Sequence, residues 1–286
     1  MRRPQHLFAL ARLAAFVLIP IVVSTPAEAQ AGAPPTDAED FVNYAYTIGD
    51  TAFFNVVGQS VQAVRLPISY TLRSPEEHPW GVKLRFPVSI GFHQLSASDP
   101  LGGELRENLA TISALAGVEF QFPVGARWTL KPFVEFGAGK DLDGGATALI
   151  YSGGLNVLLE LNRGSTLFRL GAGAEYDGAT LTGGGPSNGF TTIETGLDVR
   201  FPIGRAAGKR QLDWSVYGLL RYFPVALTFD QLNGERIELD RQNELGFTLG
   251  FEQPIGFWLL KIRRVGLGYR FGDHLSSVRI LFSVPF

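Results

Sequence analysis

Few side chains in this sequence could act as a base, a nucleophile or a metal ligand. There is no cysteine, which excludes disulfides and thiolate metal sites. The histidines are His6, His78, His93 and His274. The segment HQLS (93–96) places a base three residues before a hydroxyl. A catalytic serine needs its base within hydrogen-bonding reach, and this spacing alone does not establish that reach.

Carboxylates and glycines offer no clearer site. The four acidic residues between 230 and 240 match no EF-hand spacing, so we interpret them as part of a solvated loop. The glycine strings GAGKD (137–141) and GLGYRFG (266–272) lack the strand–loop–helix context of a phosphate-binding loop. We therefore predict no catalytic, cofactor-binding or metal-binding residue and no cofactor.

The composition is unusual for a soluble protein. Only 18% of the 286 residues are charged, against about 25% in an ordinary soluble protein, and there are 34 glycines. The formal net charge of −2 argues against a nucleic-acid partner. A basic start, the apolar run LAAFVLIPIVV (13–23) and the small-residue site AEA (27–29) predict a secretory signal peptide. After residue 29, no apolar run approaches the 18 residues expected of a membrane-spanning helix.

Apolar and polar residues alternate with period two along most of the remaining chain. This alternation predicts β-strands. The eleven clear segments are 62–72, 80–93, 109–122, 128–136, 149–161, 168–176, 193–203, 214–222, 245–251, 265–271 and 277–286. A twelfth strand is expected within 41–58, where the phase is ambiguous. The phase also slips near Arg263 and Arg264, which predicts a β-bulge.

The two faces of these strands suit a membrane better than a soluble core. A soluble β-sandwich would bury the apolar face of each strand and expose the polar face to water. Here the polar faces carry charges of both signs among glycines, and short connections alternate with longer ones at 94–108, 177–188 and 224–239. Both features are typical of transmembrane barrels, whose strand number in single bacterial chains is even. We predict an all-β fold, a transmembrane antiparallel up-and-down β-barrel of twelve strands.

Two sets of residues follow from this fold. Four tryptophans come soon after short turns on the apolar phase, which predicts one interface girdle: Trp80, Trp128, Trp214 and Trp258. Charged residues on the opposite phase should line the lumen, as a salt-bridged filling or as a narrow polar channel. The predicted lumen residues are Lys83, Arg85, Glu119, Lys131, Glu135, Arg169, Glu194, Arg200, Arg221, Glu244, Arg270 and Arg279.

The last ten residues, SVRILFSVPF, alternate and end on phenylalanine. They resemble the C-terminal assembly signal of bacterial outer-membrane proteins, whose apolar positions here are Phe286, Val284, Phe282 and Ile280. Pro285 departs from the pattern, because it removes a backbone donor. The resemblance implies insertion into the cell outer membrane by the barrel-assembly machinery, with periplasmic chaperones and outer-membrane lipid as further partners. The oligomeric state stays open.

The strand number and size resemble the translocator barrels of autotransporters. We expect three parts in the chain: a signal peptide at 1–29, an N-terminal segment at 30–50 that is a linker or lumen plug, and an outer-membrane barrel at 51–286. We expect a solitary barrel without a passenger domain, acting non-enzymatically as a structural element or small-solute pore. HQLS (93–96) also resembles the His and Ser usage of outer-membrane phospholipases, so a lipid hydrolase is one alternative. An adhesin or receptor acting through outer loops is the other.

The predicted faces imply different tolerances for a new charge on neighbouring residues. Leu249→Arg is expected to cost about 2–4 kcal/mol if its side chain meets the bilayer midplane. Thr248→Arg, on the lumen phase, is expected to be milder. Equal effects would contradict the assignment of faces.

Overall fold

A computed structural model describes residues 51–56, 59–94, 109–142, 147–182, 187–206, 210–230, 236–257, 260–272 and 275–282. The predicted signal peptide and the 30–50 segment lie outside these residues. Twelve strands are present in the described ranges: β1 (Thr51–Val56), β2 (Gln59–Arg73), β3 (Gly81–Gln94), β4 (Leu109–Val124), β5 (Trp128–Asp141), β6 (Thr147–Arg163), β7 (Thr166–Leu181), β8 (Ser187–Ala206), β9 (Arg210–Asp230), β10 (Arg236–Phe257), β11 (Leu260–Gly272) and β12 (Leu275–Leu281). The expected first strand, ambiguous in sequence, is Thr51–Val56.

Every strand pairs antiparallel with its neighbours in sequence, and β1 also pairs with β12. In this closing ladder Thr51 lies opposite Ile280 and Val56 lies opposite Leu275. Closure removes the two free sheet edges, whose unpaired backbone groups would be costly in hydrocarbon. The predicted twelve-stranded, up-and-down barrel is confirmed.

The alternation seen in sequence separates an apolar exterior from a buried interior. On β9, Ser215 and Tyr217 are buried, whereas Val216 and Leu220 between and beyond them are exposed. The same pattern recurs around the barrel, where the exposed large side chains include Phe86, Phe136, Leu170, Leu197, Leu245, Leu267 and Val278. A helix of the length and apolarity needed to span a bilayer is absent from the described residues.

Tight turns join the strands at one rim. The turns at 125–127 and 164–165 contain Gly125 and Gly164 with φ of 68° and 60°, a conformation that a Cβ atom disfavours. At the opposite rim the strands extend further than the sequence suggested. Most of the expected loop 177–188 belongs to β7 and β8, and most of 224–239 belongs to β9 and β10. Backbone pairing continues there although the apolar alternation has faded.

The expected bulge near Arg264 has a counterpart on the partner strand. The β10–β11 register shifts between Gly250 and Ile255, whose partners are Arg264 and Ile262. Four residues on β10 therefore lie opposite one residue on β11, and Arg264 is left on the interior side.

The interior is less polar than the sequence predicted. Near the rim opposite the tight turns, Leu115, Ala148, Ile150 and Ala179 form a buried apolar cluster on the inner wall. The alternation in the sequence predicts polar residues and glycine on this wall.

Candidate functional site: the charged interior of the barrel

Glu244 on β10 is the centre of one ion cluster inside the barrel. Its carboxylate accepts from Arg270 Nη2 at 3.0 Å and from Arg279 Nη1 at 2.9 Å. The hydroxyl of Tyr217 donates to Glu244 Oε1 at 2.6 Å. These four residues, hereafter the Glu244 cluster, are buried and connect β9, β10, β11 and β12. Two cations facing one carboxylate satisfy its charge in a site with little access to water.

Glycines on neighbouring strands make room for the Glu244 cluster. A Cβ on Gly246 would collide with the Tyr217 ring, and a Cβ on Gly268 would collide with the Tyr217 hydroxyl. Because these two glycines have no side chain, the Tyr217 phenol can extend over β10 and β11 and reach the Glu244 carboxylate. The glycines of the polar phase are therefore spacers for bulky interior side chains.

A second ion cluster lies nearer the tight-turn rim. The Arg264 guanidinium pairs with Asp213 and donates to the hydroxyls of Ser215 and Thr248. The hydroxyls of Ser215 and Thr248 are 2.6 Å apart and share a hydrogen bond. Sequence reasoning missed Arg264, because the phase slip beside it hid which face it occupies.

The opposite wall carries a third ion cluster. Arg85 on β3 pairs with Glu135 at 2.5 Å and with Glu119 at 3.5 Å. Arg65 on β2 reaches the same Glu135 at 3.7 Å, and the Arg85 guanidinium lies 4.4 Å from the centre of the Phe133 ring. Sequence reasoning also missed Arg65, although it lies on the polar phase of its strand.

The remaining predicted lumen residues lie along the wall between these clusters. Three ion pairs of 2.6 Å are present: Arg169–Glu160, Arg200–Asp198 and Arg221–Glu194. Lys83 and Lys131 are half-buried and form no ion pair with another described residue. All twelve predicted lumen residues are at least half-buried, and ten of them are in ion pairs with described residues.

Side chains fill the interior from several directions. The largest of the side chains that are less than 2% exposed come from β3, β4, β6, β8, β9, β10 and β11: Arg270, Ile150, Leu219, Glu244, Thr111, Thr248, Asp198, Ser89 and Ser215. A wide water-filled channel would leave inward charges exposed. The inward charges Arg270, Glu244 and Asp198 are instead almost inaccessible.

The described tryptophans lie near the tight-turn rim. Trp80 immediately precedes β3, Trp128 begins β5, and Trp214 is near the start of β9. The Arg73 guanidinium stacks on Trp80 at 4.2 Å, and the Trp214 ring stacks on Phe201 at 4.7 Å. Trp258 lies outside the described residues. Odd-numbered strands of an antiparallel barrel begin at the same rim, so these three indoles share one level.

A second aromatic girdle, missed by the sequence analysis, lies toward the other rim. Its members are Tyr151, Tyr176, Tyr222 and Tyr269. The rings of Tyr151 and Tyr176 are 6.2 Å apart, and a Cβ on the neighbouring Gly178 would collide with Tyr151. The signal was present in the sequence, since all four tyrosines follow the apolar phase and lie on the side of the longer connections.

The remaining sequence candidates lie largely outside the described residues. The His93 backbone belongs to β3, but its side chain, Ser96 and His274 are not described. Of the assembly-signal residues, Ile280 is in β12 and Phe282 follows it, while Val284 and Phe286 are outside the described residues. Among the described side chains, no group of three or more potential ligands converges to hold a metal ion.

The glycine spacers permit a matched test on neighbouring strands. Gly246→Ala is expected to lower the free energy of unfolding by about 1–3 kcal/mol, because its Cβ displaces the Tyr217 ring. Gly218→Ala, on the outer face of β9, has its nearest neighbour at 3.3 Å from a flexible Leu245 methyl, so we expect a change below about 1 kcal/mol. Urea unfolding of the two variants in detergent measures the difference. Similar losses in both would contradict the role assigned to Gly246.

No protein-family profile and no curated protein matches the sequence. Solved structures of other proteins do match this chain in fold. The β domain of the Bordetella autotransporter BrkA superposes with a TM-score of 0.50 at 10% identity, covering 80% of this chain and 93% of that one. The translocator domain of the autotransporter NalP from Neisseria meningitidis gives a TM-score of 0.52 at 10% identity, covering 80% and 83%. At this identity the likeness shows the fold, and the predicted autotransporter-type barrel fold is confirmed.

Proposed function

We propose that this chain is an integral outer-membrane β-barrel of autotransporter-like type, non-enzymatic, whose lumen is closed at rest and admits at most small solutes. The secretory signal predicted at 1–29, the apolar exterior and the fold of the BrkA and NalP domains support the location. Outer-membrane lipid, periplasmic chaperones and the barrel-assembly machinery are its proposed partners.

The spacing of the aromatic girdles supports the membrane location. Trp214 and Tyr222 lie eight residues apart on β9, with exposed Val216 and Leu220 between them. Eight residues of antiparallel strand span roughly 27 Å. With the strand tilt of about 40° typical of such barrels, this corresponds to about 20 Å along the membrane normal, close to the roughly 25 Å apolar band of outer-membrane barrels.

The burial of inward-facing charges carries the proposal of a closed lumen. Glu244, Arg270 and Asp198 face inward but are almost inaccessible. Each of them also contacts an oppositely charged side chain. Such a network of side chains occupies part of the lumen cross-section that would contain water in a general pore.

Single-channel recording in planar bilayers tests the closed lumen. We expect the wild-type barrel to insert without a large, stable open conductance. The double variant Glu194→Ser/Arg221→Ser removes both members of a partly accessible pair, keeps the net charge of the interior unchanged and should raise the conductance. Val216→Ser, on the outer face, is the control and should not. A large wild-type conductance, or an unchanged one in the double variant, would contradict a lumen closed by side chains.

The membrane location has a separate test. The folded barrel should migrate faster on a gel before boiling than after it, and it should fractionate with the outer membrane of a Gram-negative host. A signal-free chain that stays monomeric in buffer without detergent would overturn the membrane location regardless of any conductance result.

A further inference from the structure

The outer wall of the barrel contains a groove of about 600 Å³ across β7–β11. Its walls are made by Leu170, Leu197, Leu220, Leu245 and Phe271, all of which project outward and are exposed. A volume of this size lies within the range of small-molecule sites. The groove faces the same side as the proposed lipid contact surface, and Glu244, which belongs to the interior Glu244 cluster, also contributes to its lining.

The groove exists because short residues interrupt a surface of leucines. Gly218 lies opposite Leu197 on one side and Leu245 on the other. One row further toward the tyrosine girdle, Thr195 lies opposite Leu220 and turns its hydroxyl to the Gly171 carbonyl at 3.1 Å. The outer surface is therefore depressed at Gly218 and Thr195, and the side chains of the surrounding leucines project beyond it.

Polar residues stand at one end of the groove. Asn243 lines the groove. Arg241 precedes Asn243 by two residues on β10 and therefore lies roughly 7 Å closer to the rim opposite the tight turns. Arg241 pairs in register with Tyr222, a member of the tyrosine girdle, and its side chain is 73% exposed. Its ion pair with Asp240 is 3.6 Å long and solvated, so it competes weakly with another anion.

We propose that an anionic, phosphate-bearing membrane lipid binds at this groove, in the leaflet next to the tyrosine girdle. One acyl chain lies in the groove, and the lipid phosphate contacts Arg241, whose planar guanidinium suits phosphate oxygens. Asn243 offers a polar contact where the chain joins the headgroup. This proposal rests on the membrane location proposed above.

The vertical order of the site favours a lipid over other occupants. Along the membrane normal, the site presents the apolar groove, then the Asn243 amide and then the Arg241 guanidinium at the tyrosine girdle. A phospholipid presents its acyl chain, its linkage and its charged headgroup in the same order. A second copy of this barrel would bring mainly another apolar face, whereas a lipid also supplies an anionic headgroup for the exposed Arg241.

Native mass spectrometry of the folded barrel in detergent, titrated with phosphatidylglycerol, tests the site. We expect one tightly retained lipid per chain. Arg241→Gln and Gly218→Leu should each weaken retention about tenfold, the first by removing a charged contact and the second by filling the groove. Arg263→Gln, at another exposed arginine, is the matched control and should retain lipid as the wild type does.

Other results would overturn the lipid site in distinguishable ways. Displacement of the lipid by inorganic phosphate, with Gly218→Leu unchanged, would reduce the site to an anion contact. A dimer without lipid that Gly218→Leu abolishes would assign the groove to a second copy. Retention that is equal in all variants would show nonspecific lipid binding. In each case heat-modifiable migration confirms that the variants still fold, whereas a wild type that never inserts into bilayers would instead contradict the proposed function.

Discussion

Glu244→Ala is expected to lower the free energy of unfolding by about 3–5 kcal/mol, because it removes the carboxylate from a buried ion cluster that contains two arginines. Arg270 and Arg279 both face this carboxylate and have little access to water. The Tyr217 hydroxyl would also lose its hydrogen bond of 2.6 Å to Glu244 Oε1. Because Arg279 lies on β12, which closes the barrel against β1, the loss should loosen the closing seam.

Urea titration of the barrel folded in detergent micelles measures this effect. Glu160→Ala is the matched control: it also removes a carboxylate that pairs with an inward arginine, but the Glu160 side chain is 39% exposed. Solvent screens that pair, so we expect a loss below about 1 kcal/mol. Glu244→Gln keeps the shape and should fall between the two. Equal losses for Glu244→Ala and Glu160→Ala would show that the Glu244 cluster contributes no more than a solvated pair.

The strands and their inward and outward faces could be predicted from sequence because a membrane barrel imposes one simple rule on every strand. Alternation with period two placed Val216 outward and Ser215 inward without any knowledge of their neighbours. Where that rule weakens, sequence reasoning fails. Thr51–Val56 carries two adjacent phenylalanines and no clear phase, and it is its pairing with β12 and β2 that defines it as a strand.

The contacts inside the barrel could not be predicted, because they depend on the register of many strand pairs at once. Arg264 and Asp213 are 51 residues apart in sequence and meet only because β9, β10 and β11 align them across two ladders. Similarly, Glu135 is shared by arginines from β2 and β3. Charge counts on the polar phase predicted a near balance of signs, but not which partners meet or how completely the inward charges are buried.

The register of the strand pairs also corrects the depth in the membrane that the sequence suggested for single residues. Leu249 pairs with Trp214 and therefore lies at the tryptophan girdle rather than at the bilayer midplane. Thr248, expected to tolerate arginine, is fully buried and accepts a hydrogen bond from Arg264. Thr248→Arg would place a second cation beside Arg264 at a site with little access to water, so the structure leads us to expect a larger cost than the sequence suggested.

The midplane position on the same strand is Leu245. It lies opposite Gly218, halfway between Trp214 and Tyr222 on β9, and its side chain points outward with 61% exposure. Leu245→Arg is therefore expected to cost about 2–4 kcal/mol, the depth-dependent penalty for arginine on the lipid face, whereas Leu249→Arg should cost about 0–1 kcal/mol because its guanidinium can reach the headgroups.

Reversible unfolding from lipid vesicles measures both costs against the wild type. The two variants share a strand, a face and a substitution, so they differ mainly in depth. In detergent micelles, which have no fixed midplane, the difference should shrink. A Leu249→Arg cost as large as that of Leu245→Arg in vesicles would move the midplane toward the tight turns and contradict the two girdles, because an apolar band centred at Leu249 would place Trp214 in the middle of the membrane.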